Sequence, residues 1–248
     1  MNPRHSEILQ LVNQNRRVLV AELSSHTGVS EVTIRQDLTQ LEKLGYLKRV
    51  HGGATALQSD DMNDRLNVRF DIKQQLAKRA AELVQPGETV MIEGGSANAL
   101  LARELANRGD VTIITPSAYI AGMIRESKCD VILLGGIYQP QGESLVGPLT
   151  RLCIEHTHFS TAFLGIDGFH PDTGFTSRDM MRADVANAIL NKKQRNIVLT
   201  DASKFGQIFS TSIGNLDQFS VLVTNSGVDE SDLALLRKHH VAVELVES

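Results

Sequence analysis

Apolar residues recur at helical spacing in three short segments of the first 56 residues, and alternating segments follow. Residues 6–15 hold Ile8, Leu11 and Val12 on one predicted helical face. Further helices are predicted over residues 20–26 and from residue 31 to about 44. Residues 46–50 and 54–57 then read as two strands joined by His51-Gly52-Gly53. This order predicts a small helical domain that ends in a hairpin.

Local signals define the junction between the second and third helices. Gly28 suits a tight turn, and Ser30 stands where a helix N-cap belongs. Val29 and Ile34 have the spacing of a hydrophobic staple, and Gly45 suits the position after a helix end. Residues 1–57 are therefore predicted to be a winged helix-turn-helix DNA-binding domain.

The pattern of apolar residues changes at about residue 72. Apolar, β-branched segments of strand length alternate with helical segments, which predicts an α/β fold with a mostly parallel sheet. The strands are predicted over residues 89–92, 111–115, 131–134, 162–166, 197–200, 221–224 and 241–246, and helices over 98–107, 117–127, 180–192 and 231–239. The stretch 58–71 lacks this periodicity, so we predict a linker at 58–71 and an α/β sensing and oligomerisation domain at 72–248.

Charge and composition narrow the class of protein. Residues 1–56 carry seven Lys or Arg against five Asp or Glu, whereas the whole chain has a net charge of -4. A basic N-terminal part joined to an acidic remainder fits a DNA-binding domain joined to a domain that does not bind DNA. No long apolar run and no leader-like start is seen, so a cytoplasmic protein without a membrane contact is expected. Neither the two cysteines nor the histidines have metal-ligand spacing, so we expect no metal and no cofactor.

The third helix carries the candidate DNA-reading residues. Ile34, Leu38 and Leu41 share one face and should pack inward. The opposite face and the hairpin can donate to phosphates, pair with base edges and touch a thymine methyl group. The alternative is a solvated polar face on an ordinary helical domain. The predicted DNA-binding residues are Ser30, Val32, Thr33, Arg35, Gln36, Thr39, Gln40, Lys43, Lys48, Arg49 and His51.

Glycines and small polar residues follow several predicted strands of the second domain. The carboxyl ends of parallel strands meet at one edge of a sheet, where ligands bind. Backbone N–H groups at the start of a helix can hold a phosphate, a lysine can add countercharge, and carboxylates can accept bonds from sugar hydroxyls. Taken singly, each glycine could be a plain turn. The predicted effector-binding residues are Glu93, Gly94, Gly95, Ser96, Asn98, Thr115, Ser117, Gly135, Gly136, Asp167, Asp201 and Lys204.

Two arginines near the start of a predicted helix leave two interpretations open. Arg178 and Arg182 could reach a second phosphate, or they could simply pair with Asp179 and Asp184.

The stretch from Gly28 to Leu38, with Leu41-Glu42, Gly45-Tyr46-Leu47 and His51-Gly52-Gly53, resembles the N-terminal signature of the DeoR family of bacterial sugar-metabolism repressors. The resemblance extends over nearly the whole chain and is closest to the YciT-like branch of the family. It implies a C-terminal domain similar to sugar-phosphate isomerases and deaminases, and a phosphorylated sugar as effector. Gln36 stands where the family often has a second arginine. Glu93 replaces the usual Asp of the first loop, and Ala97 and Asn98 replace its hydroxyl residues.

Two functions follow from these patterns. The first is a repressor whose binding to double-stranded operator DNA is modulated by a phosphorylated sugar. Because one small head reads one half-site, it should be a homodimer or homotetramer. The second is a sugar-phosphate isomerase or deaminase fused to a DNA-binding head, in which Asp167, Asp201 and Lys204 would do acid-base work.

Overall fold

The computed structural model describes residues 3–15, 17–43, 46–56 and 62–247. The chain divides into two units, Met1–Phe70 and Asp71–Ser248. Residues 62–67 of the predicted linker form helix α4, Met62–Asn67, and Met62 is buried. The domain boundaries predicted at 57 and 71 remain predictions.

Apart from α4, the described part of the first unit contains three helices and a three-stranded antiparallel sheet. Arg17–Leu19 forms a short strand that was not predicted, because three residues are too few to show a period. The helices are α1, Pro3–Asn15, α2, Val20–Thr27, and α3, Glu31–Lys43, and the strands are β1, Arg17–Leu19, β2, Leu47–Val50, and β3, Gly53–Ala56. The strands lie in the order β1-β3-β2 in the sheet.

The predicted turn between α2 and α3 is confirmed. Gly28 has a φ of 72°, in the left-handed region, and its N–H donates to the carbonyl of Ser24 at 3.0 Å. The Ser30 hydroxyl accepts from the backbone N–H of Thr33 at 3.2 Å, as an N-cap does. Val29 packs against the buried cluster that contains Ile34. Gly45, predicted to end α3, lies outside the described residues.

The second unit is organised around a seven-stranded parallel sheet. All seven predicted strands are present, with ends shifted by at most two residues. They are β4, Thr89–Ile92, β5, Thr112–Thr115, β6, Asp130–Leu133, β9, Thr161–Leu164, β12, Arg195–Leu199, β14, Val221–Asn225, and β15, Ala242–Val246. Their order in the sheet is β15-β14-β12-β9-β4-β5-β6.

Helices cover this sheet. Short antiparallel strands occur between its parallel strands along the chain and form two small separate sheets. Two of the helices, α5 and α8, were not predicted. The helices are α5, Phe70–Glu82, α6, Ser96–Arg108, α7, Ala118–Met123, α8, Pro148–Glu155, α9, Met180–Leu190, and α10, Glu230–Lys238. The short strands are β7, Ile137–Gln139, β8, Ser144–Val146, β10, Gly168–His170, β11, Gly174–Ser177, and β13, Thr211–Ser212.

Aromatic rings hold the short antiparallel sheet β10-β11-β13 to the core. The ring centroids of Phe169 and Phe175 are 5.1 Å apart, and those of Phe169 and Phe205 are 5.0 Å apart. Phe219 packs edge-on against Phe175 at 4.9 Å. Each such pair contributes about 1 kcal/mol beyond the area it buries. The four rings therefore hold β10 and β11 in place. Since β10 begins directly after the loop that follows β9, they also hold the end of that loop.

The strand order changes direction at β4. The chain runs outward from β4 through β5 and β6, and then places β9 on the other side of β4. In open α/β sheets, ligands bind outside the carboxyl ends of the strands at such a point. The residues that follow β4 and β9 therefore occupy the expected position of a ligand site. In the part of the chain that the structure describes, no helix has the length and apolar character needed to cross a bilayer.

Candidate DNA-binding surface and effector site

Six of the predicted DNA-binding residues form one continuous surface along α3. Ile34, Leu38 and Leu41 on the opposite face are completely buried, whereas Val32 is 62% exposed. Packing of the apolar face therefore determines which residues can reach a ligand. The residues of this surface, which we call the α3 face, are Val32, Arg35, Gln36, Thr39, Gln40 and Lys43.

The N-terminal end of the α3 face holds an arginine in an exposed ion pair. The Arg35 guanidinium donates to the carboxylate of Glu31, one turn earlier on the helix. The two side chains are about half exposed, so the pair is weak and can be exchanged for a phosphate or a base edge at small cost. Ser30 and Thr33 are hydrogen-bonded to each other through their hydroxyls at 2.9 Å. Both residues therefore stabilise the start of the helix, and both are exposed beside the α3 face.

The wing formed by β2 and β3 is fastened to α3 by one arginine. The Arg49 Nη1 atom donates to Thr39 Oγ1 at 2.8 Å, and the Arg49 backbone N–H donates to Glu42 Oε1 at 2.7 Å. Lys48 and His51 are exposed on the same hairpin. The structure thus places Arg49 against the α3 face and the other two predicted wing residues on the same hairpin, while the roles of all eleven residues in DNA binding remain predictions.

A buried ionic cluster anchors α3 to α1. The Asp37 carboxylate accepts two bonds from Arg4, at 2.7 and 3.0 Å, and is 3.0 Å from His5 Nε2. Burial alone would raise the pKa of Asp37, but the hydrogen bonds from Arg4 and His5 outweigh it and hold the pKa below its ordinary value. The cluster fixes the orientation of the helix that carries the α3 face.

The predicted effector-binding residues all lie at the carboxyl edge of the seven-stranded sheet. Each group follows a different parallel strand, as the alternation predicted. Residues 93–98 follow β4, Thr115 and Ser117 end β5 and precede α7, residues 135 and 136 follow β6, Asp167 follows β9, and residues 201–204 follow β12.

Glu93 is held by two hydrogen bonds from other parts of the sensor unit. Its Oε1 accepts from Arg182 Nη2 at 2.9 Å, and its Oε2 accepts from the Gly165 backbone N–H at 3.1 Å. The residue is 3% exposed. The attraction of Glu93, aided by Asp167 and Asp179, raises the pKa of Arg182 despite its burial. Both carboxylate oxygens therefore already have protein donors, and Glu93 holds Arg182 in place.

The sequence left the partner of Arg182 open, and both ion pairs suggested for it are absent from the described contacts. Asp184 pairs with Arg151 at 3.4 Å, and Asp179 caps α9 by accepting from the backbone N–H groups of Met181 and Arg182. The Arg178 guanidinium lies 4.3 Å from the centre of the Phe209 ring. The sequence did not assign Arg182 to this site, because its partner is 89 residues away.

Two buried polar atoms beside Glu93 have no hydrogen-bond partner in the described structure. The Asn98 Nδ2 atom donates to the carbonyl of Glu93 at 2.9 Å, which turns Asn98 Oδ1 the other way, without a donor. Arg182 Nε also has no acceptor. Buried polar atoms are normally paired, so an unpaired acceptor and donor on the two neighbours of Glu93 are positions that a polar ligand could satisfy.

The glycines of the first loop allow the strand ends to approach closely. A Cβ at position 94 would lie 3.3 Å from the Ser144 hydroxyl, and one at position 165 would lie 3.1 Å from the Gly94 carbonyl. Gly95 has a φ of 129° and stands directly before α6, so the first N–H groups of the helix face the loop. Ser144 was not predicted, because it belongs to a short strand without a periodic pattern.

Other predicted site residues use their polar groups to build the edge itself. Thr115 Oγ1 donates to the carbonyl of Ile92 at 2.7 Å and accepts from the Ser117 N–H, and Ser117 caps α7. Thr150 donates to the Gly135 carbonyl at 2.9 Å. These residues shape the loops after β5 and β6, so a direct bond from their side chains to an effector is less favoured than the sequence suggested.

The loops after β9 and β12 present two carboxylates. Asp167 Oδ2 accepts from the Ser177 hydroxyl at 3.2 Å and from the Arg178 backbone N–H at 3.0 Å. Asp201 caps the short 3-10 turn Ala202–Lys204 by accepting from the Ser203 N–H. Lys204 is half-buried at the end of this turn. Across the described chain, no group of three His, Cys, Asp or Glu residues is arranged to hold a metal ion.

Comparison with known proteins matches both units to one family. Residues 4–60 match the DeoR-like helix-turn-helix domain, and residues 69–226 match the DeoR C terminal sensor domain. The assignment to the YciT-like branch remains a prediction.

Several curated relatives match over nearly the whole length of both chains. The HTH-type transcriptional regulator GolR of Listeria innocua is 32% identical over 92% of both chains. The lactose phosphotransferase system repressor of Streptococcus mutans is 31% identical, covering 95% of this chain and 96% of its own. The glycerol-3-phosphate regulon repressor of Escherichia coli is 29% identical over 98% of both chains.

Two solved structures give partial matches. Ribose 5-phosphate isomerase A of Methanocaldococcus jannaschii is 22% identical, with a TM-score of 0.42 over 55% of this chain and 54% of that chain. The initiation factor eIF-2B of Pyrococcus horikoshii is 12% identical, with a TM-score of 0.47 over 88% of this chain and 81% of that chain. On the matches of its two units and of its full-length relatives, the chain belongs to the DeoR family of DNA-binding transcriptional regulators.

Proposed function

We propose that this chain represses carbohydrate-related genes by binding operator DNA, and that a phosphorylated sugar bound by the sensor unit modulates this binding. The α3 face carries the proposal, because it is a polar and basic helix surface with a basic wing fastened beside it. Relatives that are named as repressors of a glycerol-3-phosphate regulon and of a lactose phosphotransferase system support the carbohydrate context. Since operator DNA is chromosomal, the protein acts in the cytoplasm.

The α3 face offers the chemistry that double-stranded DNA requires. Arg35 and Gln36 can pair with base edges in the major groove, and Thr39 and Val32 can contact a thymine methyl group. Lys48, Arg49 and His51 are placed to contact the phosphate backbone or the minor groove. Selection of binding sites from random duplexes tests the proposal. Recovery of one shared motif supports it, and recovery of unrelated sequences would reject it.

The effector site is proposed at the carboxyl edge, around Glu93, Arg182 and Asn98. The unpaired Asn98 Oδ1 can accept from a sugar hydroxyl, and Arg182 Nε can donate to an oxygen of the ligand. The start of α6 and Lys204 are proposed to face the phosphate. Three carboxylates surround Arg182, so the sugar hydroxyls fit this end of the site better than the phosphate does.

A thermal-shift screen of the full chain against phosphorylated sugars, each beside its unphosphorylated parent, tests the effector class. A ligand at 100 times its dissociation constant stabilises the native state by about 2.7 kcal/mol. Lys204→Ala should abolish the shift and leave DNA binding intact, whereas the exposed Lys238→Ala should leave both unchanged. A thermal shift retained in Lys204→Ala would show that the phosphate binds at another part of the carboxyl edge.

We further propose that the sensor unit binds its sugar without converting it. Asp201 caps a turn and Asp167 accepts from Ser177 and Arg178, so the two carboxylates considered for acid-base work are engaged in holding loops. Effector and DNA must then influence each other by the same factor. Equal effector affinity with and without operator DNA would contradict this coupling, and turnover of a pentose or hexosamine phosphate that Asp201→Ala abolishes would contradict the absence of catalysis.

A further inference from the structure

Exposed apolar side chains gather on one side of the sensor unit. We call the group Ile132, Leu133, Ile137, Leu149, Leu152 and Met180 the apolar surface, and each member is 45% to 70% exposed. Its parts are adjacent. A Cβ at position 135, two residues beyond Leu133, would lie 3.6 Å from Leu149, and one at position 147 would lie 3.1 Å from Ile137 and 3.6 Å from Met181.

The edge strand β6 contributes to this surface from both of its faces. Ile132 and Leu133 point to opposite faces of the sheet, because neighbouring residues of a strand alternate. They are 45% and 46% exposed. Parallel sheets are normally covered on both faces, and an apolar strand left open at a sheet edge promotes association with another chain. This edge therefore has the properties of a surface that another protein covers.

The charge of the surrounding sequence favours a second copy of the same chain as that protein. Residues 131–150, which hold four of the six members of the surface, contain a single charged residue, Glu143, although 22% of the whole chain is charged. Arg151, which precedes Leu152, is paired with Asp184 at 3.4 Å. A surface of this kind can meet its own copy without bringing like charges together. In a two-fold contact the same patch is used by both copies, so it must be complementary to itself.

The size of the surface also fits a dimer. Together with Tyr138 and Met181, the surface has eight large side chains that are 37% to 70% exposed. If a fully exposed large side chain presents roughly 150–200 Å², the eight expose about 700 Å². A stable interface buries about 800 Å² on each partner.

We propose that the apolar surface joins two copies of this chain through a two-fold contact. The inference rests on the proposed function in one respect, since a single α3 face reads one half-site and a second copy supplies the other. The contact is made by the sensor unit alone, so it forms in the absence of DNA.

Sedimentation velocity of the full chain without DNA tests the contact. The variants are Ile132→Glu and Leu152→Glu, each of which places a charge on an exposed position of the apolar surface. The matched control is Leu245→Glu, because Leu245 is 48% exposed on β15, at the opposite edge of the same sheet. We expect the wild type and the control to be dimers or larger at micromolar concentration, and the two variants to dissociate at least about 30-fold more readily.

The outcomes are distinct. A wild type that stays monomeric at all concentrations, or variants that associate as the wild type does, would overturn the proposal. A variant that loses its cooperative thermal unfolding is replaced by Leu152→Ser, for which the same two results count against the proposal. Because the measurement contains no DNA, its failure leaves the DNA-binding assignment standing. Failure of the site selection in turn leaves the sedimentation result unchanged.

Discussion

Arg182 Nη2 lies 2.9 Å from Glu93 Oε1, and this contact joins the start of α9 to the end of β4. The two side chains are 15% and 4% exposed, so the pair is largely withdrawn from water. Removing one partner of a buried ion pair leaves the other charge without compensation. The site is therefore sensitive to changes in either residue, including changes that preserve its shape.

Arg182→Gln should lower the free energy of unfolding of the sensor unit by about 3 kcal/mol, because Glu93 would remain buried and charged. Glu93→Gln should have a similar effect, and the double variant should lose much less than the sum of the two. Urea unfolding followed by circular dichroism measures these differences. The exposed pair of Arg237 and Glu230 is the control, and Arg237→Gln should cost less than about 1 kcal/mol. Additive single effects would contradict the coupling.

The cluster around Asp37 should make the stability of the first unit depend on pH in the acid range. The folded pKa of Asp37 lies below its ordinary value. Its contribution is therefore complete above the unfolded pKa of about 3.9 and is lost as the pH falls through the lower folded pKa. Asp37→Asn should destabilise α3 at neutral pH and should differ little from the wild type near about pH 2.

Hydrogen exchange of the α3 amides, corrected for the intrinsic effect of pH, measures this difference in the full chain. Glu126→Gln, at a position 87% exposed, should leave the exchange unchanged. An Asp37→Asn variant with wild-type protection at neutral pH would remove Asp37 from the anchoring cluster.

Alanine substitutions at two positions of the proposed DNA-binding surface should weaken DNA binding in different ways. Arg35→Ala should weaken binding to the selected duplex by about 1–3 kcal/mol and relax the preference at one base pair. Lys48→Ala should weaken binding to all duplexes alike and reduce the salt dependence by about one phosphate contact. Fluorescence anisotropy at several salt concentrations separates the two effects. Arg125→Ala, in an exposed pair of the sensor unit, is the control and should change neither the affinity nor its salt dependence. An Arg35→Ala variant that binds the selected duplex as the wild type does would remove Arg35 from the contact residues.

Replacing each of two glycines of the sensor unit by alanine should change the stability of the unit by very different amounts. A Cβ at position 136 would lie 2.0 Å from Thr150 Oγ1 and 2.8 Å from the Val146 carbonyl, so Gly136→Ala should cost about 2 kcal/mol or more through forced displacement. A Cβ at position 122, within α7, would meet nothing within 4 Å. Gly122→Ala should therefore be neutral or stabilising by up to about 1 kcal/mol. Thermal unfolding compares them, and equal midpoints would show that the loop after β6 can shift freely.

The parts of this molecule that could be predicted are those encoded by local patterns. The seven parallel strands were found because β-branched runs such as the one at Val221–Asn225 are buried on both faces. The α3 face was found because its apolar stripe recurs at helical spacing. Strands such as Gly168–His170 were missed because they are short and are held by ring contacts with distant residues.

The site was predicted by position more accurately than by chemistry. Strand ends located the edge of the sheet, since parallel strands converge there. Glu93 and Arg182 are 89 residues apart in the chain, with seven strands between them, and no local pattern encodes their pairing. Helix α7 likewise ends at Met123 rather than at the predicted residue 127, because tertiary contacts decide where a short helix stops.

The bond from Arg49 to Thr39 constrains how the DNA preference of this protein can change. Thr39 lies on the α3 face, which we propose reads bases, and its hydroxyl also accepts a hydrogen bond from Arg49 of the wing. We therefore expect a substitution there to alter sequence preference and wing position together, so that the two properties cannot evolve separately at this residue. Retargeting the protein by transplanting α3 alone would therefore fail unless the graft retains Thr39 and Glu42 or brings along the hairpin that matches it.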